Sequence, residues 1–478
     1  MPPAYRPGSE AFATDGKVMA LTKNGKSLPA ESAGVSRPPL PQAFRESFFS
    51  LGVACGAVAA FVMWWRDTTG VNGAGAWLVA IGRVTALEGT YAVLLTVLLL
   101  ARVWWLDRMI GMDRLLVWHR WVGETAIWLL CVHAFFIVWG YSSSFHASFP
   151  TETKVVLLDL PDMLTATAGL ALFVAVGVLS VRFIRKKVRY QTWYFIHLYL
   201  YLAIALSFAH QFSTGIDFAS HPLNQAIWIA AYGVVFGLLC WYRVVVPLRS
   251  SLRHRLRVDH LTAEADGSMS VYIAGHSLRR LQAQSGQFFL WRFLTRDGWW
   301  QAHPFSLSAP VDDGLLRLTV RASGDFTSRV DAIAVGSKVI AEGPFGSFTA
   351  RRRRNAKVLL IAAGAGIAPI RCLFETLPAR PGDLTLVYRA HDEASLALRH
   401  ELDEIAGRRG ATVRYLVGSR AKYPDLFSAK AWTALVGEDL AEFDAYLCGP
   451  REFVGAVRAA LKSAGVQGNR IYLERFEL

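Results

Sequence analysis

Four histidines lie in the apolar stretch that runs from Trp118 to His210, and they form two pairs with nearly equal spacing. His133 follows His119 by 14 residues. His210 follows His197 by 13 residues. Burying one imidazole in hydrocarbon is costly without a partner, so four of them need a common explanation. Two facing helices that carry these rings could hold two stacked haem groups by the axial positions of the irons. The alternative is that the rings pack in the interior or at the membrane interface without a metal.

Helix geometry makes a different demand on each pair. At 1.5 Å per residue, the step from His119 to His133 separates two levels by about 21 Å, which is enough for two stacked macrocycles in one bilayer. That step is also nearly four whole turns, so both rings share one helix face. The shorter step rotates His210 by roughly 140° from His197 in an ideal helix. We therefore expect a tightened turn or a bend between His197 and His210.

Composition indicates a membrane protein that also has soluble domains. The chain has 478 residues, of which 53% are apolar, and its mean hydropathy is +0.29. The segment before about Pro247 consists of hydrophobic spans, whereas the segment after it has the pattern of a soluble protein. At this length the chain exceeds one ordinary domain.

Charge and cysteine usage exclude several classes of partner and site. The net charge is +14, but much of the excess lies in Arg182–Arg189 and Arg249–Arg257, directly beside hydrophobic spans. That placement favours a surface of anionic lipids over nucleic acid. The five cysteines are scattered, so we expect no disulfide framework and no zinc or iron–sulfur site.

Six apolar segments predict an all-α transmembrane bundle, since each is near the ~20 residues that cross a bilayer. We place them near 47–65, 77–100, 115–140, 162–181, 192–212 and 224–246. Lys and Arg concentrate in the loops after the second, fourth and sixth spans. The positive-inside rule therefore puts both termini in the cytoplasm. The third and fifth spans then run outwards, so His119 and His197 lie near the cytoplasmic face and His133 and His210 lie further out.

Changes in pattern along the chain predict four regions. Residues 1–43 are rich in Pro, Gly, Ser and Lys, which predicts a disordered tail. Residues 44–247 form the six-span domain. Residues 254–350 contain short alternating strands that predict an antiparallel β-barrel. Residues 351–478 alternate strands with helices, as in a doubly wound α/β nucleotide-binding domain.

The strands of these two soluble domains are predicted from their apolar residues and from the turn residues that bound them. They are Met269–Ile273, Phe288–Phe293, Leu315–Val320, Lys338–Glu342, Lys357–Ala362, Leu384–Tyr388, Thr412–Val417 and Ala445–Leu447.

A glycine-rich turn after a predicted strand indicates a nucleotide site. In Gly364-Ala-Gly366-Ile-Ala-Pro369, the bare glycine backbone lets amides and a helix N-terminus approach a pyrophosphate. An acidic residue at the end of the next strand would favour NADH, but Arg389 stands there. A cation suits a 2′-phosphate, so we predict NADPH.

A second segment follows the last predicted strand, where such folds bring backbone and a small side chain up to the ligand. It is Cys448-Gly449-Pro450. The alternative for both segments is that the glycines only form turns and that Cys448 only fills space.

The barrel domain contains a candidate flavin site. A flat redox-active ring needs an apolar wall and a hydroxyl or amide near its reacting nitrogen. The tetrapeptide that offers both is His303-Pro304-Phe305-Ser306. Further along the chain is a turn into a helix start that could receive the flavin phosphates, comprising Arg321 and the segment Gly324-Asp-Phe-Thr327.

Taken together, these motifs resemble the NADPH oxidase and ferric reductase superfamily, in its bacterial type, from about residue 47 to the end. The resemblance implies two b-type haems on the histidine pairs of the third and fifth spans, in a plasma membrane. It also implies FAD at the HPFS and GDFT segments and NADPH at GAGIAP and CGP, and the GPFG of Gly343 to Gly346 fits the same order.

The resemblance also assigns roles to residues at the two reacting ends of the protein. Phe476, near the C-terminus, would cover the flavin ring until nicotinamide displaces it, next to Cys448. Arg83 would help to form the outer acceptor site together with His210. Arg83 has two alternatives, which are pairing with Glu88 and extending towards the interface.

The implied activity is an electron relay from cytoplasmic NADPH through FAD and two haems to an acceptor on the other side. Molecular oxygen, which would give superoxide, is our preferred acceptor, and chelated ferric iron is the alternative. A rival from another class is a membrane anchor that tethers a flavin reductase, with histidines that are only structural.

Overall fold

A computed structural model describes residues 42–474 except 186, 189, 297, 313, 420–422, 424, 425 and 438. Most of the predicted tail and Phe476 lie outside these residues. The chain divides into two units, Met1–Leu51 and Gly52–Leu478. In the first unit, the described residues form the start of helix α1 (Gln42–Arg66).

Six helical segments in the described part of the chain are long and apolar enough to cross a bilayer, as predicted. They are Glu46–Arg66, Ala74–Leu99, Arg114–Phe145, Met163–Ser180, Gln191–Ser213 and Pro222–His254. The third and the sixth are longer than the sequence indicated.

The helices of the membrane domain after α1 include several short ones between the spans. They are α2 (Ala74–Leu99), α3 (Trp104–Ile110), α4 (Met112–Phe145), α5 (Phe149–Leu158), α6 (Met163–Ser180), α7 (Arg182–Arg185), α8 (Tyr190–Leu206), α9 (Ala209–Ser213), α10 (Ile216–Ala219), α11 (Pro222–Cys240) and α12 (Val246–His254). A π-helical turn, Trp241–Val245, joins the last two.

Glycines on α2 bring it close to α4. A Cβ atom on Gly82 would lie 3.1 Å from the backbone nitrogen of Ile137, and one on Gly89 would lie 3.0 Å from Leu130 Cδ2. The contacts run in opposite directions along the two helices, so the helices are antiparallel. Small residues at such an interface let backbones approach each other and fix the register.

The fifth span is broken between its two histidines. Helix α8 ends at Leu206 and α9 begins at Ala209. Between them Phe208 N donates to Ala205 O (3.2 Å), which is the three-residue bond of a tightened turn. This confirms the irregularity that the 13-residue step predicted.

In the described part of the first soluble domain, six strands form two three-stranded antiparallel sheets. They are β1 (Arg257–Ala263), β2 (Met269–Ala274), β3 (Phe288–Phe293), β4 (His303–Ser306), β5 (Leu315–Val320) and β6 (Val339–Phe345). The sheet orders are β1-β2-β5 and β4-β3-β6. Single bridges at Arg257–Lys338 and Leu307–Leu318 link the sheets, as in the predicted barrel. Phe289, Trp291 and Phe293 fill the space between them.

The second soluble domain has a five-stranded parallel sheet. Its strands are β7 (Lys357–Ala363), β8 (Leu384–Ala390), β9 (Thr412–Val417), β10 (Phe443–Cys448) and β11 (Ile471–Glu474), and its helices are α13 (Ile367–Thr376), α14 (Arg399–Arg409), α15 (Ala429–Val436) and α16 (Arg451–Ser463). The strand order is β11-β10-β7-β8-β9. The order reverses between β7 and β10, and ligands of such sheets bind at the carboxyl ends of the strands at that point.

The barrel domain contacts the membrane domain through the connection between α2 and α4. Arg102 forms an ion pair with Glu342 of β6, and burial lowers the pKa of this arginine to about 10. Gly346 N donates to Asp107 Oδ2 of α3 (3.4 Å). Arg102 follows the end of α2, so the soluble domains dock at this end of the bundle.

Candidate functional site

The first histidine pair lies at the end of the bundle that contacts the barrel domain. The ring centroids of His119 on α4 and His197 on α8 are 6.1 Å apart, and the planes meet at 60°. Two residues before His197, Phe195 packs on Trp300 of the barrel domain with ring centroids 4.8 Å apart. The predicted inner pair therefore lies next to the barrel domain.

The second pair lies at a cavity of about 250 Å³ that both His133 and His210 line. Most of the other lining residues are apolar, and the lining comes from α2, α4, α5, α6, α8, α9 and α11. Helix α5, which the sequence did not predict, contributes Thr153, Val156 and Leu157. The structure thus brings together all four predicted histidines in the two predicted pairs.

Backbone carbonyls on α2 fix the protonation of both α4 histidines. His119 Nδ1 lies 3.1 Å from Thr96 O, and His133 Nδ1 lies 2.9 Å from Gly82 O. A carbonyl only accepts, so each Nδ1 carries the proton and each Nε2 is left with its lone pair. Histidines that bind a metal show this arrangement. The two carbonyls are 14 residues apart, as the two histidines are.

The histidines of the fifth span have weaker partners. His197 Nδ1 lies 3.4 Å from the hydroxyl of Ser180. His210 Nδ1 is buried and makes no hydrogen bond of normal geometry among the described residues, although the backbone of Ser207 lies near it. Neither contact engages Nε2. No group of three or more His, Cys, Asp or Glu that could hold a metal occurs among the described residues. Two imidazoles per iron, as in haem, are what these pairs can supply.

Arg83 pairs with an acidic residue far along the chain. Its Nε donates to Asp217 Oδ2 (2.9 Å), and a second nitrogen contacts the other carboxylate oxygen. Asp217 is buried on α10, a few residues after His210, and its carbonyl accepts from Asn224 Nδ2 (3.1 Å). Arg83 therefore anchors the segment that follows His210, and its partner is Asp217 rather than Glu88. Among the described residues, the lining of the cavity does not include Arg83.

The HPFS segment forms β4 and has buried polar atoms suited to a bound ring. His303 stacks on Phe326 with ring centroids 3.5 Å apart. His303 Nε2 and Ser306 Oγ are buried without a hydrogen-bond partner in the described chain. Burial lowers the pKa of His303 to about 4, so this ring is neutral at pH 7. Orphaned polar atoms of this kind fit the carbonyls and nitrogens of a flavin. Pro304 and Phe305 complete the strand.

The GDFT turn is organised by its own threonine. Thr327 Oγ1 accepts from the amides of Ser323 and Gly324 (2.8 Å each), and a 3₁₀ helix starts at Thr327. Arg321 lies close by, with a guanidinium nitrogen 3.7 Å from where a Cβ on Gly364 would be. The structure thus brings the predicted phosphate segment of the barrel next to the glycine turn of the α/β domain.

The two nucleotide segments meet at the reversal of strand order. Gly364 has φ +54°. A Cβ on Gly366 would lie 2.2 Å from Cys448 O, so only glycine fits. Gly449 and Pro450 follow at the end of β10, and Pro369 lies on the first turn of α13. Both segments therefore line the crevice between β7 and β10.

Two predicted ligand residues are engaged within the protein. Arg389 donates to Gly418 O (3.0 Å) and to Leu416 O (3.4 Å), which holds its guanidinium at the end of β9. The side chain of Cys448 is fully buried in the core, and burial raises the pKa of its thiol well above the ordinary value. Cys448 therefore presents backbone rather than sulfur to the crevice.

An ion cluster that sequence reasoning missed joins the two soluble domains. Arg317 of β5 makes two hydrogen bonds to Glu401 of α14 (2.6 and 2.9 Å), and Arg371 of α13 contacts the same carboxylate (2.9 Å). Burial alone would raise the pKa of Glu401, but the two arginines lower it. No local pattern marks these residues, because they come from distant elements.

Comparison with curated proteins finds relatives over about two fifths of the chain. The chain is 31% identical over 206 residues to the ferredoxin reductase component of a Mycobacterium tuberculosis 3-ketosteroid-9-alpha-monooxygenase, covering 42% of this chain and 56% of the relative. It is 26% identical to a component of the Na⁺-translocating NADH-quinone reductase of Actinobacillus pleuropneumoniae, covering 40% and 52%. A solved ferredoxin reductase of carbazole 1,9a-dioxygenase matches 46% of this chain and 68% of its own, with 19% identity and a TM-score of 0.39. The chain spans about half the length of the curated relatives.

Three family models match consecutive parts of the chain. The ferric reductase like transmembrane component matches residues 85–208. This range includes His119, His133 and His197 but not His210. The FAD-binding domain matches residues 256–349, and the oxidoreductase NAD-binding domain matches residues 360–459. The protein therefore has a ferric-reductase-type transmembrane domain fused to FAD- and NAD-binding domains, which is the arrangement of the ferric reductase and NADPH oxidase type of fusion.

Proposed function

We propose that this protein is a transmembrane oxidoreductase that moves electrons from cytoplasmic NADPH through FAD and two b-type haems to an acceptor on the other side. The observation that carries the proposal is the arrangement of His119 and His133. Each donates a hydrogen bond from Nδ1 to a carbonyl of α2, which leaves the lone pair of Nε2 for a metal. Each also has a second histidine opposite it, from the fifth span.

In this proposal each histidine pair would hold one haem, one nearer the inner face of the membrane and one nearer the outer face. His119 and His197 would hold the inner haem, and His133 and His210 the outer one. A flavin held by the HPFS and GDFT segments would supply hydride acceptance from NADPH, and haems held by the two histidine pairs would supply single-electron transfer across the bilayer. The contact between Phe195 and Trp300 holds the barrel domain against the inner pair.

The lining of the outer cavity supports molecular oxygen as the acceptor, with superoxide as the product. Among the described residues, its lining includes no Asp, Glu, Lys or Arg, and α5 forms part of the wall. With a haem held by His133 and His210, the acceptor would react at the edge of that ring, among these uncharged residues. Such surroundings suit a small neutral molecule, whereas a ferric chelate is larger and usually charged. The ion pair of Arg83 with Asp217 leaves the guanidinium compensated rather than open to an anion.

A reduced-minus-oxidised absorption spectrum of the purified protein, with haem quantified per chain, tests the relay. We expect a b-type spectrum, two haems per chain and reduction of both by NADPH. A preparation that oxidises NADPH but has no haem absorption would instead support a membrane-anchored flavin reductase.

The acceptor is tested separately with the same preparation. We expect cytochrome c reduction that superoxide dismutase suppresses, in the presence of NADPH and oxygen. Fast reduction of a ferric chelate without a dismutase-sensitive signal would make the protein a ferric-chelate reductase with the same relay.

The choice of nicotinamide cofactor rests on Arg389. Its guanidinium lies at the end of β9, bound to two carbonyls, and a 2′-phosphate at that edge would be attracted by its charge. NADH is the alternative, since one relative is named as a component of an NADH-quinone reductase. We expect a higher kcat/KM for NADPH than for NADH. Loss of that preference in Arg389→Ser would support the role, and equal use of both cofactors by the parent would exclude it.

A further inference from the structure

The hydroxyl of Ser180, at the end of α6, has three hydrogen-bonding neighbours. Ser180 Oγ donates to Val176 O (2.7 Å). It accepts from the indole nitrogen of Trp193 (3.2 Å) and lies 3.4 Å from His197 Nδ1. Trp193 also stacks on His197, with ring centroids 4.9 Å apart and planes at 29°. The hydroxyl and the indole thus contact the same imidazole on two sides, its edge and its face.

The hydrogen-bonding capacity of a hydroxyl decides which way the contact with His197 runs. A serine has one hydrogen to donate and two lone pairs. The carbonyl of Val176 can only accept, so it takes the hydrogen. The indole can only donate, so it takes one lone pair. The second lone pair then accepts the Nδ1 proton of His197, which leaves Nε2 of that ring as the ligand atom.

The hydroxyl is a weaker acceptor than the carbonyls that serve the α4 histidines. It already accepts from Trp193, and its distance to His197 is 3.4 Å, against 3.1 Å from His119 to Thr96 O. A strong acceptor at Nδ1 gives an imidazole more negative character and makes it a better donor to the metal. A side chain therefore sets the donor strength of His197, whereas the main chain sets that of His119.

We propose that Ser180 and Trp193 are positioning residues for His197, which fix its ring and set the reduction potential of the inner haem independently of the outer one. This inference rests on the proposed function. The hydroxyl raises the donor strength of the imidazole, and the indole moderates that effect by occupying one lone pair of the same oxygen.

Substitutions of the two residues should shift the reduction potential of one haem in opposite directions. In Ser180→Ala the acceptor is lost, His197 becomes a weaker donor, and the potential of one of the two haems rises. In Trp193→Phe the ring stays stacked but the indole donor is lost, so the oxygen accepts more strongly from His197 and the same potential falls. Ser180→Thr keeps the hydroxyl and restores the parent value.

The measurement is equilibrium reduction of the purified holoprotein at set potentials, with haem per chain and the low-spin ferric electron paramagnetic resonance signals recorded in parallel. Thr165→Val is the matched control, because it removes another hydroxyl from α6 whose bond is to Asp162 O (2.8 Å). We expect both potentials and both signals of the control to match the parent. In Ser180→Ala, we expect one potential and one signal to change.

Each outcome bears on the proposal. Two haems with parent potentials and signals in Ser180→Ala would overturn it and leave the proposed function intact. If Ser180→Ala loses one haem, restoration by Ser180→Thr supports the positioning role. In that case an unchanged potential in Trp193→Phe overturns the prediction that the two residues act on the potential in opposite directions. A parent protein without haem would overturn the proposed function itself.

Discussion

Helix α4 and the pair α8–α9 carry their histidines in different ways. Helix α4 is continuous over 34 residues, and its 14-residue step keeps both rings on one face. The α8–α9 pair has a 13-residue step and is broken at Ser207 and Phe208. An irregularity of this kind is what the shorter step requires if both rings are to face α4. Two chain segments with different periods can therefore present matching pairs of ligands.

The same contrast extends to the partners of the rings. Both α4 histidines bond to carbonyls of α2, which no substitution removes. On the fifth span, His197 bonds to a side chain, and His210 Nδ1 makes no hydrogen bond of normal geometry among the described residues. The α4 side of each site is thus set by the main chain and by close helix packing, whereas on the fifth span only His197 has a side-chain partner, Ser180. Variants on the two sides should fail in different ways.

Removal of one inner ligand should have the largest effect. In His197→Ala we expect electron flow beyond flavin to stop, because one axial ligand is missing. NADPH-dependent reduction of soluble dyes should continue, since the crevice between β7 and β10 belongs to the α/β domain and not to the membrane domain that contains His197. The comparison of acceptor reduction with dye reduction in one preparation checks this. Acceptor reduction at the parent rate would exclude His197 as a ligand.

A change in the period of α4 should remove the outer site alone. Deletion of Trp128, a residue whose side chain is 73% exposed, would give α4 a 13-residue step without a break. His133 would then rotate by about 100° away from its partner. We expect one haem per chain and no acceptor reduction. Trp128→Ala keeps the step and should retain two haems, and two haems in the deletion variant would contradict the helix-period argument.

The next largest effect should come from disturbing the close packing of α2 on α4. In Gly82→Ala the added Cβ would lie 3.1 Å from the Ile137 backbone nitrogen, and we expect a loss of about 1–3 kcal/mol in stability from overpacking. The His133 contact with Gly82 O should weaken with it. Gly233→Ala on α11 has open space and serves as the control. Thermal unfolding measures the stability of each variant, and haem content reports on the His133 contact. If Gly82→Ala and Gly233→Ala give the same results, the packing of α2 does not fix the register between α2 and α4.

The elements with a clear period could be predicted from the sequence. The bounds of Phe288–Phe293, Leu315–Val320 and Thr412–Val417 agree with the structure, because alternation and flanking turn residues are local. Strand β1 was missed because only Val258 of its residues is buried. Helix α5 is ten residues long, too short to count as a span.

Some features of the candidate site could likewise be predicted from the sequence, and others could not. The histidine pairs and the break in the fifth span followed from helix geometry. The acceptors at Thr96 and Gly82 could not be read from the sequence, because a carbonyl belongs to every residue. Arg83 shows the opposite difficulty, since the nearby Glu88 suggested a pair and the observed partner, Asp217, lies 134 residues away.

The smallest effect we expect concerns the contact between the two halves of the protein. Trp300→Ala removes the ring that packs on Phe195, and an aromatic pair contributes about 0.5–1.5 kcal/mol, which corresponds to roughly 2- to 12-fold in the docked population. Reduction of haem by NADPH should slow by that factor, while flavin reduction keeps its rate. Trp299→Ala changes an indole that is 61% exposed and should leave both rates unchanged. Anaerobic stopped-flow spectra separate the two steps, since flavin and haem absorb at different wavelengths. If both variants slow haem reduction equally, the Phe195 contact does not hold the domains together, and the Arg102–Glu342 ion pair becomes the element to vary.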